Sequence, residues 1–139
     1  MDTMTDQLRE WIEKELTMQD PSDILEEVKE KTKKLIRITK DGNFMVIPQE
    51  TADKETCYLG FVARAYAFKA GYVPSDEMKS EDLKSLVKIN PPSVDAHIME
   101  LRNEGLIDQV RTGVHKINYL RLLATLDTIL AKIGGDNAI

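Results

Sequence analysis

The sequence has few of the residues from which catalytic and metal sites are built. Cys57 is the only cysteine, and the 139 residues include two histidines. An internal disulfide is therefore excluded, and a metal site is not expected. The chain also has no glycine-rich phosphate loop, no Ser-His-Asp order and no His-Glu helix motif. We predict no cofactor, no metal and no enzymatic activity, and a buried, inert thiol at Cys57.

Long apolar runs are absent as well. No uninterrupted apolar stretch approaches the roughly 18 to 20 residues that a membrane span requires. The N-terminus, MDTMTDQLREW, lacks the basic segment and apolar stretch of a secretory signal. With 42% hydrophobic and 31% charged residues, the composition is that of a soluble domain with a real core. We expect a cytoplasmic protein without membrane contact.

The sequence also lacks an excess of positive charge. The formal net charge is −5, and residues 1–56 carry 9 Lys and Arg against 14 Asp and Glu. Residues 57–139 carry 10 of each. The acidic surplus therefore lies in the N-terminal part, and charge alone does not indicate a nucleic-acid partner.

Apolar spacing predicts two helices and a hairpin in residues 1–55. A narrow apolar stripe predicts a helix at Thr5–Met18, and a second helix follows the break at Asp20-Pro21-Ser22. Apolar alternation around Asp41-Gly42 predicts strands at about Leu35–Thr39 and Asn43–Ile47. The polar stretch QETADKE reads as a linker, so we expect one module in residues 1–55 and a second in 56–139.

Residues 56–118 contain the most informative pattern. A central helix ends at Gly71, Ser80 is expected to cap a short helix, and Lys88–Pro92 forms a turn. Asn90 and Pro91 suit the start of a further helix that ends near Gly105. Strands at Leu106–Val110 and Val114–Asn118 follow, and a long C-terminal helix spans Tyr119–Ile133, with the tail GGDNAI frayed. The predicted fold class is mainly α with small β elements (α+β).

A short helix, a tight turn, a longer helix and a two-stranded wing make up the winged helix-turn-helix plan. The string MELRNEGLID followed by VRTGVHKIN resembles the recognition helix and wing of many winged-helix transcription regulators. The block YLGFVARAYAFKAGYVPSDEMKSEDLKSLV is similar to a group of small archaeal winged-helix proteins of largely unassigned role. The resemblance covers about residues 56–118 and implies a winged helix-turn-helix domain there; the two helices and the hairpin predicted from apolar spacing precede it.

The resemblance also implies which residues would contact double-stranded DNA. Ser93 and the neighbouring backbone N–H groups would bind a phosphate at the helix N-terminus, and His97 would read a base. His115 lies in the wing, among the usual phosphate-contacting or minor-groove positions. The complete set of predicted DNA contacts is Lys88, Ser93, His97, Arg102, Arg111 and Lys116.

The charge of the predicted recognition helix argues against that role. Residues 88–118 hold four basic and four acidic side chains, and Asp95 would face phosphate or purine acceptors. The leading hypothesis is a transcription regulator or chromosome-associated factor that binds DNA as a dimer. The alternative is a winged-helix protein-interaction module that binds no nucleic acid and docks through its acidic N-terminal helices and hairpin.

Apolar stripes on the two terminal helices predict a homodimer. The C-terminal helix has a wider apolar face than a winged domain needs, and the N-terminal helix has a stripe that includes Trp11. The predicted dimer interface comprises Leu122, Leu126, Ile129, Ile133 and Trp11.

Overall fold

The structure is a computed structural model that describes residues 3–17, 20 and 23–137. Over these residues the fold is mixed α and β and mainly helical, which confirms the predicted fold class at this coarse level. The helices are α1 (Thr3–Trp11), α2 (Ile24–Glu27), α3 (Lys29–Lys33), α4 (Asp53–Lys69), α5 (Ser80–Leu86), α6 (Pro91–Asn103) and α7 (Leu122–Asn137). The strands are β1 (Ile36–Ile38), β2 (Phe44–Val46), β3 (Met78–Lys79), β4 (Ile107–Arg111) and β5 (Val114–Ile117).

The N-terminal helix, residues 3–16, comprises α1 and a π-helical turn at Ile12–Leu16. Every residue from 4 to 17 is exposed, so this helix contributes no buried side chain to the core. The helix predicted at Thr5–Met18 is present, although Met18 and the break at Pro21-Ser22 lie outside the described residues.

Strands β1 and β2 form the predicted hairpin around Asp41-Gly42. They pair antiparallel with Ile36 opposite Val46 and Ile38 opposite Phe44, and each is shorter than predicted. Leu25 of α2, Ile36 of β1 and the intervening Val28 and Leu35 share one hydrophobic core with α4. The predicted boundary at residue 55 lies in the first turn of α4, so residues 1–55 and 56–139 do not form separate cores.

Helix α4 is the centre of the core. Nine of its residues are buried, among them Cys57, and burial raises the pKa of the Cys57 thiol to about 12. Gly60 lets α4 approach its neighbours closely, because a Cβ there would lie 2.7 Å from Leu83 Cδ1 in α5 and 3.1 Å from Phe44 Cζ in β2. At Gly60, α4 therefore lies directly against Leu83 of α5.

A three-stranded sheet follows, in the order β3-β5-β4. Strand β3 was not predicted: Met78 pairs with His115, and Lys79 pairs with Val114. Ser80 is the first residue of α5, so the prediction that it caps this helix is wrong; Lys79 occupies the cap position. Gly113, with a φ of 75°, forms the turn between β4 and β5, where the left-handed conformation favours glycine.

Helix α7 completes the core. Its residues Leu122 and Leu126 are fully buried, and a 3₁₀ turn at Tyr119–Arg121 precedes it. The tail from Gly134 was predicted to be frayed, but α7 continues to Asn137; Ala138 and Ile139 lie outside the described residues. None of the helices in the described ranges has the length and apolar character to cross a membrane.

Candidate nucleic-acid interface

Helix α6 and strand β4 each have an exposed side next to the core, whereas β5 is mostly buried. The buried side of α6 comprises Val94, Ile98 and Leu101, whose spacing of four and three residues places them on one face. Gly105, with a φ of 75°, ends the helix and lets the chain enter β4 two residues later. The outer side of α6 therefore faces solvent beside the hairpin, and its exposed residues are Pro91, Pro92, Asp95, Ala96, Met99, Glu100 and Asn103.

The N-terminus of α6 does not offer the backbone donors predicted for a phosphate. Pro91 and Pro92 have no N–H group. The N–H groups of Ser93 and Val94 both donate to the carbonyl oxygen of Asn90, at 2.9 and 3.1 Å. The prediction that Ser93 and neighbouring backbone N–H groups bind a phosphate is therefore corrected: the half-buried Ser93 retains only its hydroxyl for this role.

Asp95 has a partner on the preceding helix. Its Oδ2 lies 2.9 Å from Lys84 Nζ, and the same ammonium group lies 3.3 Å from Glu81 Oε1. The hydrogen bond to Asp95 and the charges of both carboxylates raise the pKa of Lys84. Asp95 thus joins α6 to α5, and Lys84 compensates its negative charge.

The acidic C-terminal half of α6 is also compensated. Lys54 in α4 forms ion pairs with Glu104 and, at 3.6 Å, with Glu100, and the hydrogen bond to Glu104 raises the pKa of Lys54. His97 Nδ1 lies 3.4 Å from Glu100 Oε1, and its side chain is only 22% exposed. Nδ1 is buried and has no hydrogen-bond partner among the described residues, so this nitrogen is not available to a base, which weakens the prediction that His97 reads a base.

Some of the cationic side chains predicted to contact DNA already bind other side chains of the chain, and some do not. Arg102 Nη1 donates to Gln109 Oε1 at 3.0 Å, and Arg111 Nη1 lies 2.9 Å from Glu77 Oε1. Within the described ranges, Lys88 and Lys116 form no ion pair. Lys88 is exposed, and Lys116 is half-buried on β5.

His115 lies in the core, contrary to its predicted place among the wing contacts. It is 4% exposed, and its ring meets the edge of Phe61 with the ring centroids 6.4 Å apart. Neither ring nitrogen has a hydrogen-bond partner among the described residues. Burial, with a smaller contribution from Arg102, lowers the pKa of His115. A neutral, buried ring cannot contact DNA.

The predicted dimer interface is divided between the core and the surface. Leu122, Leu126 and Ile129 are at most 3% exposed within a single chain, and Ile133 packs against the same core. Their assignment to a dimer interface is therefore corrected, since the fold of one chain already buries them. Trp11 is 51% exposed and stays available to a partner.

Sequence reasoning missed the residues that set the charge of this surface. Lys54 and Lys84 lie on α4 and α5 and reach α6 from other elements, which no local pattern reveals. Strand β3, which was not predicted, places Lys79 beside the hairpin turn, where Ser80 N donates to Gly113 O at 2.9 Å. The exposed Lys79 is therefore a further cation next to the β4–β5 hairpin.

Comparisons of the chain with protein-family models, with curated proteins and with solved structures find no match.

Proposed function

We propose that residues 53–118 form a winged helix that binds double-stranded DNA, with α6 in the major groove and the β4–β5 hairpin along the backbone. The observation that carries the proposal is the order of the elements: α5, a tight turn, α6 and a hairpin whose last strand pairs with β3. In helix-turn-helix proteins the second helix enters the major groove. The outer face of α6 is exposed along its length, as that position requires.

The ion pairs of α6 reduce the electrostatic objection to DNA binding. Lys84 is shared by Asp95 and Glu81, and Lys54 by Glu100 and Glu104. Each cation offsets one of two negative charges, so these carboxylates repel phosphate less than isolated charges would. Positive charges lie on the elements next to α6: Lys79 on β3, Lys88 in the turn before α6 and Lys116 on β5. Three phosphate contacts give a salt dependence of about −3 in log K against log salt for one chain.

The function that we propose is that of a transcription regulator or chromosome-associated factor that acts as a dimer. Two copies would double the number of phosphate contacts, so the dependence on salt would rise to about −5. A dimer would also place two α6 helices on successive half-sites of the duplex. Affinity per chain is expected to be weak, because one chain has only three such lysines.

Titration of a fluorescent random-sequence duplex, followed by anisotropy at several salt concentrations, tests the proposal. Lys88→Ala and Lys116→Ala should each weaken binding and reduce the magnitude of the salt dependence by about 1 per altered contact. The matched control is Lys40→Ala in the β1–β2 turn, which removes the same charge away from this surface. Absence of binding at low salt, or equal effects of all three variants, would overturn the proposal.

A second candidate function is a protein-interaction module that binds no nucleic acid. Two observations favour it: the ion pairs leave α6 nearly neutral, and residues 1–56 hold 14 Asp and Glu against 9 Lys and Arg. The acidic N-terminal helices and hairpin would form the docking face. Charge reversal at the exposed Glu26, Glu27 and Glu30 should then abolish capture of a partner, whereas the chain alone should bind no duplex.

A further inference from the structure

The N-terminal helix has an apolar face that no part of the described chain covers. Leu8, Ile12 and Leu16 recur every four residues, and Trp11 lies beside them, three residues after Leu8. These four side chains are 56%, 39%, 63% and 51% exposed, in the order Leu8, Ile12, Leu16 and Trp11. A helix of about fourteen residues is marginal in water unless its apolar face packs against something.

Three neighbouring open hollows along α2 and α3, here together called the α2–α3 groove, are a candidate site for this face. Three hollows of about 360, 290 and 470 Å³ adjoin each other along these helices. The first two share Lys29 and Tyr66, and the last two share Lys33 and Arg37. The groove extends from Ala70, after α4, to Ile47 after β2. Its apolar lining comprises Leu25, Ile36, Ile38, Ile47, Tyr66 and Ala70.

The charges of the helix and the groove are complementary. Residues 3–16 contain four carboxylates and two cations, whereas the groove is lined by five cations and three carboxylates. Lys33, Lys34 and Arg37 cluster at one end of the groove. Glu15 follows Trp11 by four residues, so it lies beside Trp11 on the same side of the helix, where it can meet such a cluster.

We propose that the N-terminal helix of one copy docks in the α2–α3 groove of a second copy, with Leu8, Trp11 and Leu16 in the groove. A helix of this length spans about 21 Å and binds as amphipathic helices bind grooves. Reciprocal exchange of the two helices gives a closed, twofold-symmetric dimer. The inference specifies the surface of the dimer in the proposed function, and it does not require DNA binding to be correct.

Sedimentation and tryptophan fluorescence of the full chain without DNA test this inference. Trp11 is the only tryptophan, so its emission reports on the helix alone. With increasing protein concentration we expect a monomer-to-dimer transition and a parallel shift of Trp11 emission to shorter wavelength. Leu8→Asp should abolish both changes, and Lys33→Glu with Arg37→Glu should weaken the dimer at least tenfold.

A charge swap makes the test specific. Adding Glu13→Lys and Glu15→Lys to the Lys33→Glu and Arg37→Glu variant should restore much of the lost association. Lys40→Glu with Lys79→Glu, which makes the same change in net charge outside the groove, should leave the dimer intact. A chain that stays monomeric overturns the proposal, as does a dimer unaffected by Leu8→Asp. A short-wavelength emission that is independent of concentration would place the helix on its own chain and would also overturn it.

Discussion

Replacement of Gly60 by alanine has two opposing effects of similar size on the free energy of unfolding. Alanine is favoured over glycine in a helix by about 1 kcal/mol, whereas overpacking a core costs about 1–3 kcal/mol. The new Cβ would lie 2.7 Å from Leu83 Cδ1, and Leu83 is 0% exposed and has little room to move. Phe44 Cζ, at 3.1 Å, restricts the other side. We therefore expect Gly60→Ala to lower the free energy of unfolding by about 1 kcal/mol, or about 4 °C in Tm.

Urea and thermal unfolding followed by circular dichroism measure this effect, and a double-mutant cycle identifies its cause. Leu83→Val removes Cδ1 and leaves space for the new Cβ. The free energy of unfolding of the double variant should therefore be higher, by at least about 0.5 kcal/mol, than the value obtained by adding the effects of the two single changes. A rise in Tm for Gly60→Ala alone would show that helix propensity dominates. Strict additivity with Leu83→Val would refute the close approach of α4 to α5.

Three further predictions test the site and the core. Burial lowers the pKa of His115 below its usual value of 6.5. As the pH falls through 6.5, the unfolded chain therefore binds more protons than the folded chain, so the free energy of unfolding should fall. His115→Leu should reduce this pH dependence in urea unfolding. Asp95→Asn leaves Lys84 without that partner, so duplex binding should tighten severalfold at low salt with little change in Tm; weaker binding would contradict this. Leu122→Ala should cost about 2–5 kcal/mol in urea unfolding, whereas Leu123→Ala, at a side chain 41% exposed, should cost far less.

Local signals predicted the elements around the candidate site well. The spacing of Val94, Ile98 and Leu101 and the glycine at 105 determine where α6 lies and where it ends. Pro91 begins the helix as predicted, because a missing N–H group costs nothing at the first helical position. The turn at Gly113 likewise follows from the need for a positive φ. These features depend on neighbours within a few residues, so the sequence reveals them directly.

Features that depend on distant parts of the chain could not be predicted. Strand β3 consists of two residues, and it forms only because β5, more than thirty residues later, offers hydrogen-bond partners. The pair of Lys54 and Glu104 joins residues 50 positions apart. The apolar stripe of α7 showed that one face would be buried, but not whether its own chain or a second copy would bury it. Leu122 and Leu126 show that its own chain does.

The central claim is that α6 and the β4–β5 hairpin together form the DNA-contacting surface. Amide chemical-shift mapping of the isotope-labelled chain during titration with a random-sequence duplex at low salt tests it most directly. We predict shift changes concentrated in residues 88–103 and 108–116, with Lys79 included and the α2–α3 groove unaffected. Changes confined to residues 29–40, or a spectrum that the duplex leaves unaltered, would contradict the account.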